Sequence, residues 1–333
     1  MRTVWAWARP FAGLAILGLL VWRLGAAAFL DGLRLVGVGA LAAALGIGLL
    51  TTVLSAWRWR LVASRLGLRL PLGCAVADYY RALFLNAALP GGVLGDVHRA
   101  VRHGQHEGDV GRGVRAVVLE RTAGQVVLVA VGAVALLGQP SLALAEAHRV
   151  RVTPTVVLIL AAVAGGALAA AIGLRLWRGG ARWRRAWGTA LTDVRLGLLA
   201  RNSWPGVLLS STVVLAGHLA MFLVAARVTG VSAPLLTLAP LLLLALLAMA
   251  LPLNVGGWGP REGVLAWAFG MAGLSAAQGL TVAVVYGVCT FVASLPGLGL
   301  LIARWLARPR PARPQIELEQ RVLTEVAAPG GGA

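Results

Sequence analysis

Leu83–Asp96 reads LFLNAALPGGVLGD. It begins apolar enough to enter a bilayer, then meets Pro90, the glycines Gly91, Gly92 and Gly95, and the acid Asp96. Proline lacks the N–H that a helix needs and crowds the turn before it, so a helix entering this stretch stops near Leu89. A segment that breaks in apolar surroundings and sets a carboxylate beside the break needs a reason. The chain around it supplies one.

Of the 333 residues, 59% are hydrophobic and only 13% charged, a composition with no polar half that could form a soluble domain. Apolar runs of about 20 residues recur, the length that crosses the hydrocarbon core of a bilayer. The fold class is therefore all-α, a polytopic helical membrane protein with about eight spanning segments. The net charge of +18 comes from arginine, with no lysine present. These arginines gather in short loops beside the apolar runs, with no aromatic-basic platform among them. That distribution sets topology and attracts anionic headgroups, so membrane lipids, not nucleic acid, are the expected partners.

Hydropathy places spans near 11–29, 34–56, 116–138, 154–174, 205–228, 235–251 and 278–303, with shorter apolar pieces near 74–90 and 263–274. The first run is expected to be a retained helix, not a cleaved signal. Arg2 and Arg9 precede it, nine arginines lie from Arg58 to Arg115, seven from Arg175 to Arg201 and five from Arg304 to Arg321. The intervening loops carry only Arg34, Arg149, Arg151 and Arg227. The basic set faces the cytoplasm, which puts both termini inside. The Arg-only, Ala- and Gly-rich composition suits a high-GC bacterial genome and hence an inner membrane. The second span returns to the cytoplasm near Arg58, and the loop from Arg99 to Arg115 is cytoplasmic too. The opening stretch must then enter and leave on one side, as a re-entrant hairpin or an interfacial segment.

The break occurs twice. Leu251–Glu262 reads LPLNVGGWGPRE, with Pro252, the pair Gly256 and Gly257, then Gly259, Arg261 and Glu262. Each half runs through two spans, a broken segment and one span. Three full spans per half is an odd number, so the second copy lies upside down. Inverted repeats with broken helices near the midplane point to a transport site. The expected organisation is one membrane domain over 1–304, in inverted halves 10–150 and 151–304, with a disordered tail over 305–333. The basic connector 175–201, with Trp177, Trp183 and Trp187, is read as a solvated cytoplasmic loop or a helix lying on the membrane.

Charges in lipid cost at least about 2.5–3.5 kcal/mol each at mid-bilayer, so those near the breaks stand out. Arg81, Asn86, Asp96 and Arg99 flank the first break, Glu120 and Arg121 interrupt the third span, and Arg261 and Glu262 follow the second break. His218 and Tyr286 offer hydrogen-bonding groups in later spans. Glu120 and Arg121 are adjacent and point apart on a helix, so each needs a partner elsewhere: Asp96 for Arg121, and Arg81 or Arg261 for Glu120. Half-helix N-termini attract anions, and Arg81, Arg99, Arg121 and Arg261 would suit a phosphate-bearing headgroup. Asp96, Glu120 and Glu262 would tune that site. An ion-pair network gluing the halves together is the alternative use of the same residues.

No Walker lysine, G-x-S-x-G elbow or His-rich metal cluster is present, so no catalytic residue, cofactor or metal is assigned. His98, His103 and His106, with Glu107 and Asp109, read as a polar loop. Cys74 and Cys289 read as small hydrophobes.

Three ordered motifs carry a family resemblance over roughly residues 10–305. They are Asn86, Pro90-Gly91, Gly95-Asp96 and Arg99; then Glu120-Arg121 and Gly124; then Pro252, Gly256-Gly257, Gly259 and Arg261-Glu262, followed by Tyr286 and Pro296-Gly297. In this the chain resembles the flippase-like membrane domain of lysylphosphatidylglycerol synthases, with Glu120 where that family has Asp. The resemblance implies a domain with re-entrant segments that moves lipids between leaflets. The synthases add a large soluble aminoacyl-transferase domain, and about thirty residues follow the last span here, so lysyl transfer by this chain alone is not expected. The expected function is transport of a phospholipid or lipid-linked glycan. The rival is a non-transporting partner that presents lipid to a separate glycosyl- or aminoacyl-transferase.

Overall fold

The computed structural model describes residues 30, 32, 34–89, 92–137, 181–249 and 258–307. Among the described residues the elements are helices: α1 (Val38–Arg65), α2 (Leu72–Ala88), α3 (Leu94–His106), α4 (Val110–Leu137), α5 (Ala181–Gly197), α6 (Trp204–Val228), α7 (Leu235–Met249), α8 (Pro260–Met271) and α9 (Ala276–Leu306). The expected spans 11–29 and 154–174, the residues Pro90, Gly91, Pro252, Gly256 and Gly257, and the tail from 308 onward lie outside them.

Length decides which helices cross. Four of them, α1, α4, α6 and α9, are long and apolar enough to span a membrane. The 13-residue α3 and 12-residue α8 reach about 20 Å or less at 1.5 Å per residue, short of a core about 30 Å thick. Leu45, Leu49 and Leu50 on α1 and Val118, Val126, Val129 and Val134 on α4 stand exposed. Apolar faces of that extent are expected against lipid and would be a liability in water.

The order long, short, break, short, long occurs twice: α1 to α4, then α6 to α9. The spacing is regular. Val38 and Trp204 open α1 and α6, Leu94 and Pro260 open α3 and α8, and Val110 and Ala276 open α4 and α9, each second residue 166 after the first. The packing repeats as well. The α2–α9 contact has its counterpart in α7–α4, α1–α9 in α6–α4, and α3–α4 in α8–α9, while α1 packs on its own counterpart α6. Along that last contact Gly217 meets Thr51 and Gly206 meets Trp57 and Leu61, so the two helices run antiparallel.

Glycine brings the short helices against the long ones. A Cβ on Gly113 would stand 2.7 Å from the Ala100 carbonyl oxygen, and one on Gly279, 166 residues later, would collide with the Leu265 carbonyl. One apolar core holds Trp59, Tyr79, Ala100 and Val117, and a second holds Phe222, Leu242, Phe269 and Tyr286.

Two readings change. Residues 98–106 are not loop but the second half of α3, where Arg99, Ala100, His103 and Gly104 share a buried face. The connector contains a helix, α5, whose buried Asp193 pairs with Arg115 at the start of α4. It is tied to the bundle, not simply solvated.

Candidate functional site

Each break delivers an acid to the third position of the helix that follows it. Asp96 is the third residue of α3 and Glu262 the third of α8. At the first break Gly95 lies against the Ala82 carbonyl, too close for any side chain. Its N–H donates to Asn86 Oδ1 at 2.7 Å, while Asn86 Nδ2 donates to Asp96 Oδ2 at 3.0 Å. One amide thus caps an otherwise free helical N–H and orients the acid beside it. At the second break Gly259, with φ of 116°, takes a conformation that favours glycine, and its N–H donates to Glu262 Oε2 at 2.7 Å.

A charged chain connects α1, α3 and α4. Glu120, fully buried, accepts from Arg58 Nε at 3.1 Å and Nη2 at 2.6 Å, and from Arg99 Nη2 at 2.7 Å. Arg99 Nε reaches Asp96 at 2.9 Å, and Arg121 Nη2 reaches the same carboxylate at 2.8 Å. Arg99 is sandwiched between Trp59 and Tyr79, its guanidinium carbon 4.7 and 4.4 Å from their ring centres. Three guanidiniums meet two carboxylates, which leaves one positive charge. At the second break Arg261 binds Glu262 through Nε, at 2.9 Å, and through Nη2, and lies over Trp258 and Tyr286. The Tyr286 hydroxyl is 3.1 Å from His218 Nδ1, and Phe222 stacks on the Tyr286 ring.

Both networks open on one cavity of about 350 Å³, within the range of small-ligand sites, roughly 300–1,000 Å³. Arg58, Arg121 and Asn86 line it from the first half, and His218, Arg261 and Tyr286 from the second. Thr51, Ser55, Gln125, Ser211, Thr290 and Ser294 add uncharged hydrogen-bonding groups. The wall can bind an anion and a polar, hydroxylated group beside it. Among the described residues no group of three His, Cys, Asp or Glu side chains is placed to hold a metal ion.

The family profile described as the lysylphosphatidylglycerol synthase TM region matches residues 10–297. The chain belongs to this family. No curated protein and no solved structure matches it. Membership of the lysylphosphatidylglycerol synthase TM-region family makes the chain an integral membrane protein whose function concerns membrane lipid, and the family is a region separate from the catalytic part of the synthases.

In this member of the lysylphosphatidylglycerol synthase TM-region family the nine residues singled out in the sequence divide into three groups. Asn86, Arg121, Arg261 and Tyr286 line the cavity. Asp96, Glu120 and Glu262 stand behind that wall as partners of its arginines, and Arg99 stands with them, bridging Asp96 and Glu120. Arg81 belongs to neither. It pairs with Asp78, which also takes Arg102, because Asp78 lies one helical turn earlier on α2. Glu120 binds Arg58 and Arg99, not Arg81 or Arg261.

Sequence reading missed Arg58, Tyr79 and Ser211. Arg58 looked like the first charge of a cytoplasmic loop because hydropathy ends the span at 56, but α1 continues to Arg65. Gly124 faces its guanidinium, with room for a Cβ only 3.3 Å from it. Ser211 accepts from Arg58 Nη1 at 2.9 Å. His103 packs edge-on against Trp59, and burial lowers its pKa.

Proposed function

We propose that the chain moves a phosphate-bearing lipid, a phospholipid or a lipid-linked glycan, between the leaflets of a bacterial inner membrane. The observation that carries this is that Arg121 and Arg261, one from beside each break, line the same cavity. A polar headgroup crossing about 30 Å of hydrocarbon needs fixed charges and hydrogen-bonding groups to replace its water. The cavity supplies guanidiniums for the phosphate and Ser, Thr and Gln side chains for a glycerol or sugar. Helices that repeat in antiparallel order give such a site two faces, one toward each leaflet. In this reading residues 10–150 and 151–304 are the inverted halves, and the arginine-rich loops and both termini face the cytoplasm. Catalysis is left to other proteins.

Reconstitution tests it. Liposomes holding the purified protein should translocate a fluorescent phospholipid faster than protein-free liposomes, and Arg121→Gln or Arg261→Gln should slow this by about tenfold or more, as loss of a charged hydrogen bond implies. A wild-type protein that moves no lipid, yet is retained by an immobilised glycosyl- or aminoacyl-transferase, would favour the presenting role instead.

A further inference from the structure

Arg121 and Arg261 start on different helices, yet their guanidiniums occupy corresponding places. With residues 166 apart in correspondence, Asp96 matches Glu262, and Arg121 matches Gly287. Arg121 leaves α4 and reaches the carboxylate of Asp96 at the start of α3. In the second half the direction is reversed. Arg261 leaves α8 beside Glu262 and lays its guanidinium against Gly287, where a Cβ would stand 2.5 Å from Nη2. A guanidinium therefore sits between the long helix and the third-position acid in both halves, supplied from opposite sides. Each also lies near a tyrosine, Tyr79 for Arg121 and Tyr286 for Arg261.

The charge balance limits what these two places can hold together. The guanidiniums of Arg58, Arg99, Arg121 and Arg261 face the carboxylates of Asp96, Glu120 and Glu262, four against three among the described residues. One positive charge is left over for both places. In a low-dielectric cavity a second anion would enter against the first with no charge to receive it.

We propose that the cavity has two alternative seats, at Arg121 and at Arg261, for a single phosphodiester monoanion, and that the headgroup is handed from one seat to the other in crossing. The handover rests on the lipid-transport reading, whereas the two seats stand on geometry and charge alone. The carboxylates serve as positioning residues. They hold each guanidinium toward the cavity and do not touch the ligand. Gly287 is the position that makes room for the second seat.

Calorimetric titration of the detergent-solubilised protein with dihexanoyl phosphatidylglycerol reads the seats directly. The wild type should bind one lipid per chain. Arg121→Gln and Arg261→Gln should each still bind one, with affinity lower by about twofold for the lost seat and further for the lost surplus charge, and the double variant should bind none. Gly287→Ala removes no charge but closes the seat at Arg261, and should lower affinity by about twofold, less than Arg261→Gln does, which guards against misfolding as the cause. Two lipids per wild-type chain, or one single variant without effect while the other abolishes binding, would overturn the two-seat arrangement. Glycerophosphoglycerol, the same headgroup without acyl chains, should bind much more weakly, and equal affinity would overturn the assignment to a lipid. In liposomes both single variants should still bind lipid and translocate it about tenfold or more slowly. A wild type that binds one lipid and moves none would refute transport while leaving the seats in place.

Discussion

The Arg121 guanidinium lies 2.8 Å from the carboxylate of Asp96, joining a long apolar helix to the first residues of the short one that follows the break. This contact makes the start of α3 and the wall of the cavity one electrostatic unit. Asp96 also holds Arg99 and Asn86, so the position of Arg121 is tied to Arg99 behind the cavity wall and to Asn86 on it. A double-mutant cycle with Asp96→Asn and Arg121→Gln should show a coupling of about 1–3 kcal/mol in unfolding free energy. Additive effects of the two changes would mean that the pair contributes nothing to holding the break.

Glu120 is a fully buried carboxylate that serves two arginines. Glu120→Gln leaves Arg58 and Arg99 buried with a neutral partner, and the expected cost is about 3–5 kcal/mol. Thermal unfolding in detergent should show a large loss for Glu120→Gln and almost none for Glu107→Gln, whose carboxylate is exposed. Equal melting temperatures for the two variants would contradict the network.

The glycines at the helix crossings should fail in pairs. Gly113→Ala and Gly279→Ala each push a methyl group into the backbone of the neighbouring short helix, and each should destabilise by about 1–3 kcal/mol. Gly46 has nothing within 4 Å of its Cβ position, so Gly46→Ala should be neutral or stabilising by up to about 1 kcal/mol. Urea or thermal denaturation of the three variants checks the contrast. Divergent behaviour of Gly113 and Gly279 would break the correspondence between halves.

The antiparallel α1 and α6 put Ser64 and Ser232 at opposite ends of the bundle, and the proposed orientation puts Ser64 inside. Ser64 ends α1 beside the basic loop, and Ser232 lies beyond the far end of α6, both exposed. In a Cys74→Ser background, a membrane-impermeant maleimide added to spheroplasts should label Ser232→Cys and not Ser64→Cys. The opposite pattern would invert the topology.

The breaks were legible because proline and glycine act locally, and four of the spans because about 20 apolar residues leave few alternatives, whereas the expected span 235–251 is the 15-residue α7. Helix α3 was harder. Arg99, Ala100, His103 and Gly104 fall at helical spacing, but three histidines and two arginines in 13 residues hid a buried face that is itself polar. The Arg81 pairing was readable in principle, since Asp78 precedes it by three residues on one helix. The partners of Glu120 were not, because Arg58 lies 62 residues away and only the packing of α1 on α4 brings it there. Sequence supplies local grammar, and the site is made of contacts between helices.

Transport through one cavity requires that a single headgroup meet both halves. Photo-crosslinking with a phospholipid carrying a photoreactive headgroup tests it most directly, with adducts mapped by mass spectrometry. Adducts should fall on cavity-lining residues of both halves, such as Gln125 and Trp258, and should be lost together in Arg121→Gln plus Arg261→Gln. Adducts confined to lipid-facing residues such as Val126 and Val134, or unaffected by the double change, would contradict it.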